Sequence, residues 1–198
     1  MFASLTDPKL IACVNAGGVV VIPTDTLYGV VARASNKAAV ERVYRIRGRA
    51  PQKPCIVLVA DQTDIIDKSL WTKYHHHLAN TYWPGALSLV TPTTIIDDYL
   101  HRGTKTLAYR VPANTELRAL LHQTGMLIAP SANPEAMPPA TTFDEAHTYF
   151  GDAVDGYVDG GILNGNAPST VLAVVDDKPV ILRQGVLSIP LGIKPDSE

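Results

Sequence analysis

The stretch Pro23-Thr24-Asp25-Thr26-Leu27-Tyr28-Gly29 follows directly on the apolar run Val19-Val20-Val21-Ile22. Two threonine hydroxyls, a carboxylate and a phenol delivered at the end of a strand suggest a site, because open α/β folds place ligands where strands end. The pattern recurs along the chain. Pro130-Ser131-Ala132-Asn133 closes an apolar segment, Arg110 sits inside the strand-like run Leu107-Ala108-Tyr109-Arg110-Val111, Ser169-Thr170 opens another run, and Arg183 ends the last one. Arg47, Arg49 and Lys53 stand at the exit of a helical pattern. Arg offers a planar fork to two oxygens, Lys a point charge, and Ser, Thr and Asn short adjustable hydrogen bonds. A small, polar, negatively charged ligand is what such a set would recognise.

Each element also has a purely structural reading. Thr24 and Asp25 could bond their own backbone in a turn, and Arg47, Arg49 and Lys53 could simply complement a helix dipole. Arg110 resists this treatment, because a charge among apolar strand residues needs a carboxylate or a ligand as its partner. His75-His76-His77 suggests a metal, but adjacent helical residues point about 100° apart and cannot converge on one ion. No protein metal cage is expected. The phosphate loop G-x-x-x-x-G-K-[ST] does not occur, and Trp71 and Trp83 read as packing residues.

The elements that position these residues follow from periodicity and punctuation. Asp7 caps a helix opened by Pro8 and ended by Gly17-Gly18. A strand over 19–23 follows, then a helix begun by Ser35 or Asn36, with Ala39, Val40, Val43 and Ile46 as its stripe. The continuous apolar run Cys55-Ile56-Val57-Leu58-Val59-Ala60 reads as a strand buried on both faces. Further helices are expected near 63–68, 72–82, 115–124 and 143–150. Further strands are expected at 87–91, 106–111, 126–130, 157–159, 170–175 and 179–183. Helices alternating with strands give an α/β fold, and a hairpin around Asp176-Asp177 makes the sheet mixed.

Bulk composition narrows the classes. The 198 residues are 46% hydrophobic and 18% charged, which describes one globular domain; the alternation of elements makes it α/β, a mixed sheet with flanking helices. A formal charge of -2 gives no global attraction to nucleic acid. Cys13 and Cys55 read as reduced thiols, and no apolar run reaches the roughly 18 residues that a membrane span requires. A cytoplasmic location without membrane contact is the expectation.

Taken in order, Gly17-to-Val30, Arg45-to-Val59, Tyr82-to-Val90, Leu107-to-Pro112, Ala129-to-Asn133, Ala167-to-Val171 and Ile181-to-Gly185 resemble the YrdC-type threonylcarbamoyl-AMP synthase family, also called TsaC. The resemblance implies that the mixed sheet is twisted, and it implies synthesis of threonylcarbamoyl-AMP and pyrophosphate from L-threonine, bicarbonate or CO2, and ATP with Mg2+. A separate TsaD-type transferase would carry the product to tRNA. By motif, the resemblance assigns Thr26, Arg110, Ser131 and Ser169 to threonine. It assigns Arg49, Lys53, Thr106, Asn133, Thr141 and Arg183 to ATP, with Arg47, Arg49, Ser131 and Asn133 at the reacting groups. Three departures stand out. The family's K-x-R signature is here Arg47-Gly48-Arg49, Leu58 occupies the place of a histidine found in two-domain members, and Ser169-Thr170-Val171 lacks the acidic residue that often follows. These departures keep open a YciO-like paralogue that binds nucleotide, tRNA or other RNA without efficient synthesis. A carbamoyl-adenylate-forming domain of the kind found within larger carbamoyltransferases is a further alternative.

Overall fold

The computed structural model describes residues 1–65, 67–163 and 167–190. Local signals place the first two helices. Asp7 accepts the Lys9 N–H at 2.8 Å and Pro8 opens α1 (Pro8–Asn15). Asn36 accepts the Ala39 N–H at 3.0 Å to start α2 (Lys37–Arg47), and Gly48 ends it in the left-handed region at φ 59°. The remaining helices are α3 (Lys73–Tyr82), α4 (Asp98–His101), α5 (Thr115–Thr124) and α6 (Phe143–Phe150). None is long and apolar enough to cross a membrane.

Nine strands form one mixed sheet. They are β1 (Val20–Pro23), β2 (Tyr28–Arg33), β3 (Val57–Leu58), β4 (Leu87–Pro92), β5 (Thr106–Arg110), β6 (Leu127–Ile128), β7 (Gly156–Tyr157), β8 (Thr170–Val175) and β9 (Lys178–Arg183). Their spatial order is β7-β1-β2-β6-β3-β5-β4-β8-β9. The expected hairpin joins β8 to β9, with Asp176 at φ 49° and Asp177 at φ 55°. Positive φ at both central residues is the geometry that matches the twist of the flanking strands.

The two faces of the sheet are used differently. On one face α1 and α5 bury Leu10, Val14, Leu117, Leu120 and Leu121 against Val20, Ile22, Val31, Leu58 and Leu127. The register pairs Leu58 with Arg110 and Val90 with Ala108, so Arg110, Ala108 and Val90 continue that same face. The opposite face carries Tyr109, Leu107, Leu89 and Leu172 in the larger cluster with Leu78 and Ala79 of α3. Half of one face is thus covered by helices, and half remains for a ligand.

Two expectations need correction. The sequence predicts no strand at β2, because its first residues read as polar punctuation after β1. Yet Tyr28, Gly29, Val30, Val31 and Ala32 are all buried, and the chain turns back at once to pair antiparallel with β1. The helix expected near 63–68 is one 3-10 turn, Gln62–Asp64, with residue 66 outside the described set. Asp61 and Asp64 cap each other's backbone there, and Asp67 instead accepts from Ser69 Oγ at 2.7 Å and Thr94 N at 2.9 Å, drawing the chain toward β4. The one-turn α4 was also not foreseen.

Buried histidine ties stability to pH. His75 on α3 is 2% exposed, stacks beside Trp71, and accepts the Thr72 N–H on Nδ1 at 3.1 Å. Burial, and then the neighbouring His76, holds its pKa below the ordinary value. The unfolded chain therefore takes up this proton first, and stability present above about pH 6.5 declines as pH falls through that value. Urea midpoints for the unaltered protein should fall more between about pH 7 and pH 5 than those of His75→Gln. Parallel curves for the two proteins would show that His75 titrates alike folded and unfolded.

Candidate functional site

A cavity of about 420 Å³ lies across the uncovered half of that face. Its floor is small or aliphatic: Gly29 of β2, Ile56 before β3, Ala108 of β5, Val90 of β4, Val171 of β8 and Leu182 of β9. Four guanidinium groups, Arg47, Arg49, Arg110 and Arg183, line it, and no carboxylate does among the described residues. The site therefore runs across the sheet face; the sequence reading had expected it at strand ends.

The β1–β2 turn divides its work among neighbouring residues. Thr24 Oγ1 accepts from the Thr26 N–H at 3.1 Å and the Leu27 N–H at 3.2 Å and donates to Leu27 O at 2.6 Å, so Thr24 closes the turn on itself. Asp25 instead reaches across the fold. Its Oδ2 accepts the Ala113 N–H at 3.0 Å and its Oδ1 faces Arg110 Nη1 at 3.1 Å, with both side chains at least nine-tenths buried. Arg110 Nη1 also donates to Thr26 Oγ1 at 3.1 Å, while its Nε has no hydrogen-bond partner among the described residues. Burial lowers the Arg110 pKa and Asp25 opposes that shift. The charge expected to need a partner has one, and keeps a free donor.

A second buried cation stands on the other side. The segment after β6 lies antiparallel on β2: Val30 N–H donates to Pro130 O at 3.0 Å, Ala132 N–H donates to Tyr28 O at 2.7 Å, and Gly29 bridges Ser131. This brings Ser131 and Asn133 over the end of α2. Arg47, 4% exposed, donates from Nε to Asn133 O at 2.7 Å and from Nη2 to Asn133 Oδ1 at 3.3 Å. Its Nη1 has no partner among the described residues. Burial first, and then Arg49, lowers its pKa. Arg47 is therefore no solvated dipole complement.

The far wall is built from the start of β8 and the end of β9. Ser169 Oγ lies 2.8 Å from Ser88 Oγ, and Arg183 donates from Nη2 to Ser169 O at 2.9 Å and to Ser169 Oγ at 3.2 Å. Gly185 makes this approach possible, since a Cβ there would collide with the Pro168 carbonyl and the Ser169–Thr170 peptide. Burial, then Arg110 and Arg49, lowers the Arg183 pKa. The cations thus repel one another across the cavity, and an anion between them would relieve that repulsion.

Eight of the residues singled out by sequence meet at this cavity: Thr26, Arg47, Arg49, Thr106, Arg110, Ser131, Ser169 and Arg183. Three do not line it. Asn133 is buried behind the wall, donating to Pro134 O and Met137 O while accepting from Arg47. Thr141 Oγ1 donates to Glu145 at the start of α6, and Lys53 pairs with Glu135 at 2.6 Å. Sequence reasoning passed over Asp25 as a partner for Arg110, Thr104 in the wall, and Glu135. Only Asp25 carried a signal, as the one carboxylate in the opening motif.

The buried pair makes a stability prediction. Asp25→Ala should cost about 3 kcal/mol, because removing one member leaves the other charge uncompensated. Asp25→Asn should cost less, since an amide oxygen can still accept the Ala113 N–H. Denaturant unfolding of both variants tests this, and equal stability to the unaltered chain would show Arg110 to be satisfied without Asp25.

Comparison with known proteins shows the family of the chain. The threonylcarbamoyl-AMP synthase of Bacillus subtilis is 34% identical over 189 residues, which cover 92% of this chain and 55% of that one. The structure of Pyrococcus abyssi Sua5 complexed with L-threonine superposes with a TM-score of 0.82 at 28% identity, covering 89% of this chain and 53% of that one. Escherichia coli YciO superposes with a TM-score of 0.76 at 28% identity, covering 90% of this chain and 88% of its own. The chain spans about half the length of the Bacillus and Pyrococcus relatives. Residues 12–185 match the family model Sua5_yciO_yrdC, described as "Telomere recombination". With the match running through every wall of the cavity, the chain belongs to the Sua5/YciO/YrdC family.

Proposed function

We propose that the chain makes L-threonylcarbamoyl-AMP from L-threonine, bicarbonate or CO2, and ATP, releasing pyrophosphate. The observation that carries this reading is the convergence of four guanidinium groups on one cavity with an apolar floor, two of them retaining unpartnered donors. Threonine is an anion at its carboxylate and ATP at its phosphates, so both need such a wall. Arg110 with Thr26 bonded to it, and Ser131 and Ser169 elsewhere on the cavity wall, receives threonine. Arg49, Arg183 and Thr106 face ATP, and the family pattern adds Lys53, Asn133 and Thr141.

The chemistry needs little from the protein beyond placement and charge. The threonine amine nitrogen attacks the carbon of CO2 and loses a proton, giving a carbamate. A carbamate oxygen then attacks the α-phosphorus as the bond to pyrophosphate breaks. Both partners in that second step are anionic, so cations that neutralise them and hydrogen bonds that hold them in line lower the barrier. Among the described residues no carboxylate lines the cavity; Mg2+ would arrive with ATP as part of the substrate, held by phosphate oxygens and water. Transfer to tRNA would then fall to a separate TsaD-type enzyme in the cytoplasm.

A second reading rests on Arg47. Where the family carries lysine, this side chain is spent on Asn133 O and Oδ1, which suits a nucleotide- or RNA-binding protein of the YciO kind as well as a synthase. Pyrophosphate release measured with ATP, bicarbonate and each amino acid in turn separates the two. Release should require threonine and bicarbonate together, and serine should lower kcat/KM by about tenfold for the lost methyl. Release indifferent to amino acid, or none with ATP still bound, would sink the synthase reading. Arg47→Lys should also lower kcat, by about tenfold or more, because one ammonium cannot span both Asn133 oxygens. A gain in activity would show instead that position 47 serves only as a charge.

A further inference from the structure

Glu135 lies just beyond the Ser131–Asn133 segment, and its bonds go to the last residue of α2 and to the cationic loop that follows. Its Oε1 accepts Lys53 Nζ at 2.6 Å, its Oε2 accepts the Ala50 N–H at 2.6 Å, and its own N–H donates to Arg47 O at 2.7 Å. Lys53 precedes Pro54 and Cys55, which line the cavity, yet its own side chain does not line it. Arg49, which does line the cavity, is held within the same loop, donating to Lys53 O at 3.1 Å and Pro54 O at 2.8 Å.

We propose that Glu135 sets the affinity of the nucleotide site by competing with phosphate for Lys53. The inference rests on the nucleotide reading above. With no anion bound, the Lys53 ammonium neutralises Glu135 at the rim of the cavity. A triphosphate carries several negative charges toward Arg49 and Arg183, in the cavity whose wall includes Pro54, the residue next to Lys53. The ammonium then exchanges one carboxylate for phosphate oxygens, while the Ala50 N–H keeps the loop attached to Glu135. Every bound triphosphate must therefore overcome the Lys53–Glu135 pair. That pair is partly exposed, with side chains 59% and 31% accessible, so the cost is small enough to be reversible. Lys53 and Ala50 also hold the Glu135 carboxyl below the ordinary range, which keeps it ionised and in competition at neutral pH.

Glu135→Gln isolates this effect, because its amide oxygen still accepts the Ala50 N–H while the charge is removed. Equilibrium titration with ATP should show binding about two- to fivefold tighter in Glu135→Gln than in the unaltered chain. The gain should disappear when the same change is made in a Lys53→Ala background. A thermal melt of each variant establishes that the proteins compared are folded. Unchanged or weaker binding in folded Glu135→Gln would overturn the exchange. A gain that persists without Lys53 would overturn it too, since it would then be a general effect of removing one negative charge. No ATP binding by the unaltered chain would defeat the nucleotide reading and this inference together, whereas threonine-independent behaviour with ATP bound would leave the exchange standing.

Discussion

Burying a guanidinium group in an apolar wall without an acceptor is too costly for a marginally stable fold to carry. Arg110 and Arg47 are both 4% exposed and line one cavity, and much of the surrounding architecture answers that cost. Arg110 has Asp25 and Thr26, delivered by a turn that Thr24 closes on itself. Arg47 has the Asn133 carbonyl and side-chain oxygen, delivered by a segment lying on β2. Neither solution is complete. Each arginine keeps a donor without a partner among the described residues, so the fold positions the cations but leaves part of their bonding capacity for something else.

The convergence depends on β2 more than on any other element. It follows β1 by a tight turn, which fixes Asp25 and Thr26, and its opening residues receive the segment 130–132, which fixes Ser131 and Asn133. Residues more than a hundred positions apart thereby meet. Gly29 sits between the two, with the Pro130 carbonyl 3.5 Å from where a Cβ would stand. A larger residue there would fill the cavity floor. The same economy shapes the far wall, where Gly185 lets β9 close on the start of β8 and so places Arg183 on Ser169.

Several regular elements were legible in the sequence: the expected ranges 115–124, 143–150 and 170–175 are those of α5, α6 and β8. What escaped was decided by contacts distant along the chain. β2 starts with a hydroxyl-bearing aromatic and a glycine, which locally resemble a loop, and only its burial between β1 and β6 makes it a strand. The 63–68 segment has helical composition, but Asp67 is captured by Thr94. Within the site, Arg110 was legible because a charge in an apolar strand has few explanations. Arg47 was legible only through the family motif, since by itself a cation in the last helical turn looks solvated until the 131–133 segment is known to cover it.

The cations of the cavity fall into two groups by how their charge is met, and the division bears on the proposed chemistry. Arg110 and Arg47 are fixed by buried partners, so their positions are set before any ligand arrives. Preorganised charge of this kind needs no rearrangement at the moment of reaction, which is where electrostatic catalysis gains most. Arg49 and Arg183 rest on backbone carbonyls, and Lys53 on a partly exposed carboxylate. These partners are weaker acceptors than a triphosphate, or are better solvated when released, so the second group can be exchanged. A site that brings two anions together faces opposite demands, because full neutralisation by the protein would repel no cation but attract no substrate. Fixing the buried cations and lending out the peripheral ones meets both demands with the same short set of residues.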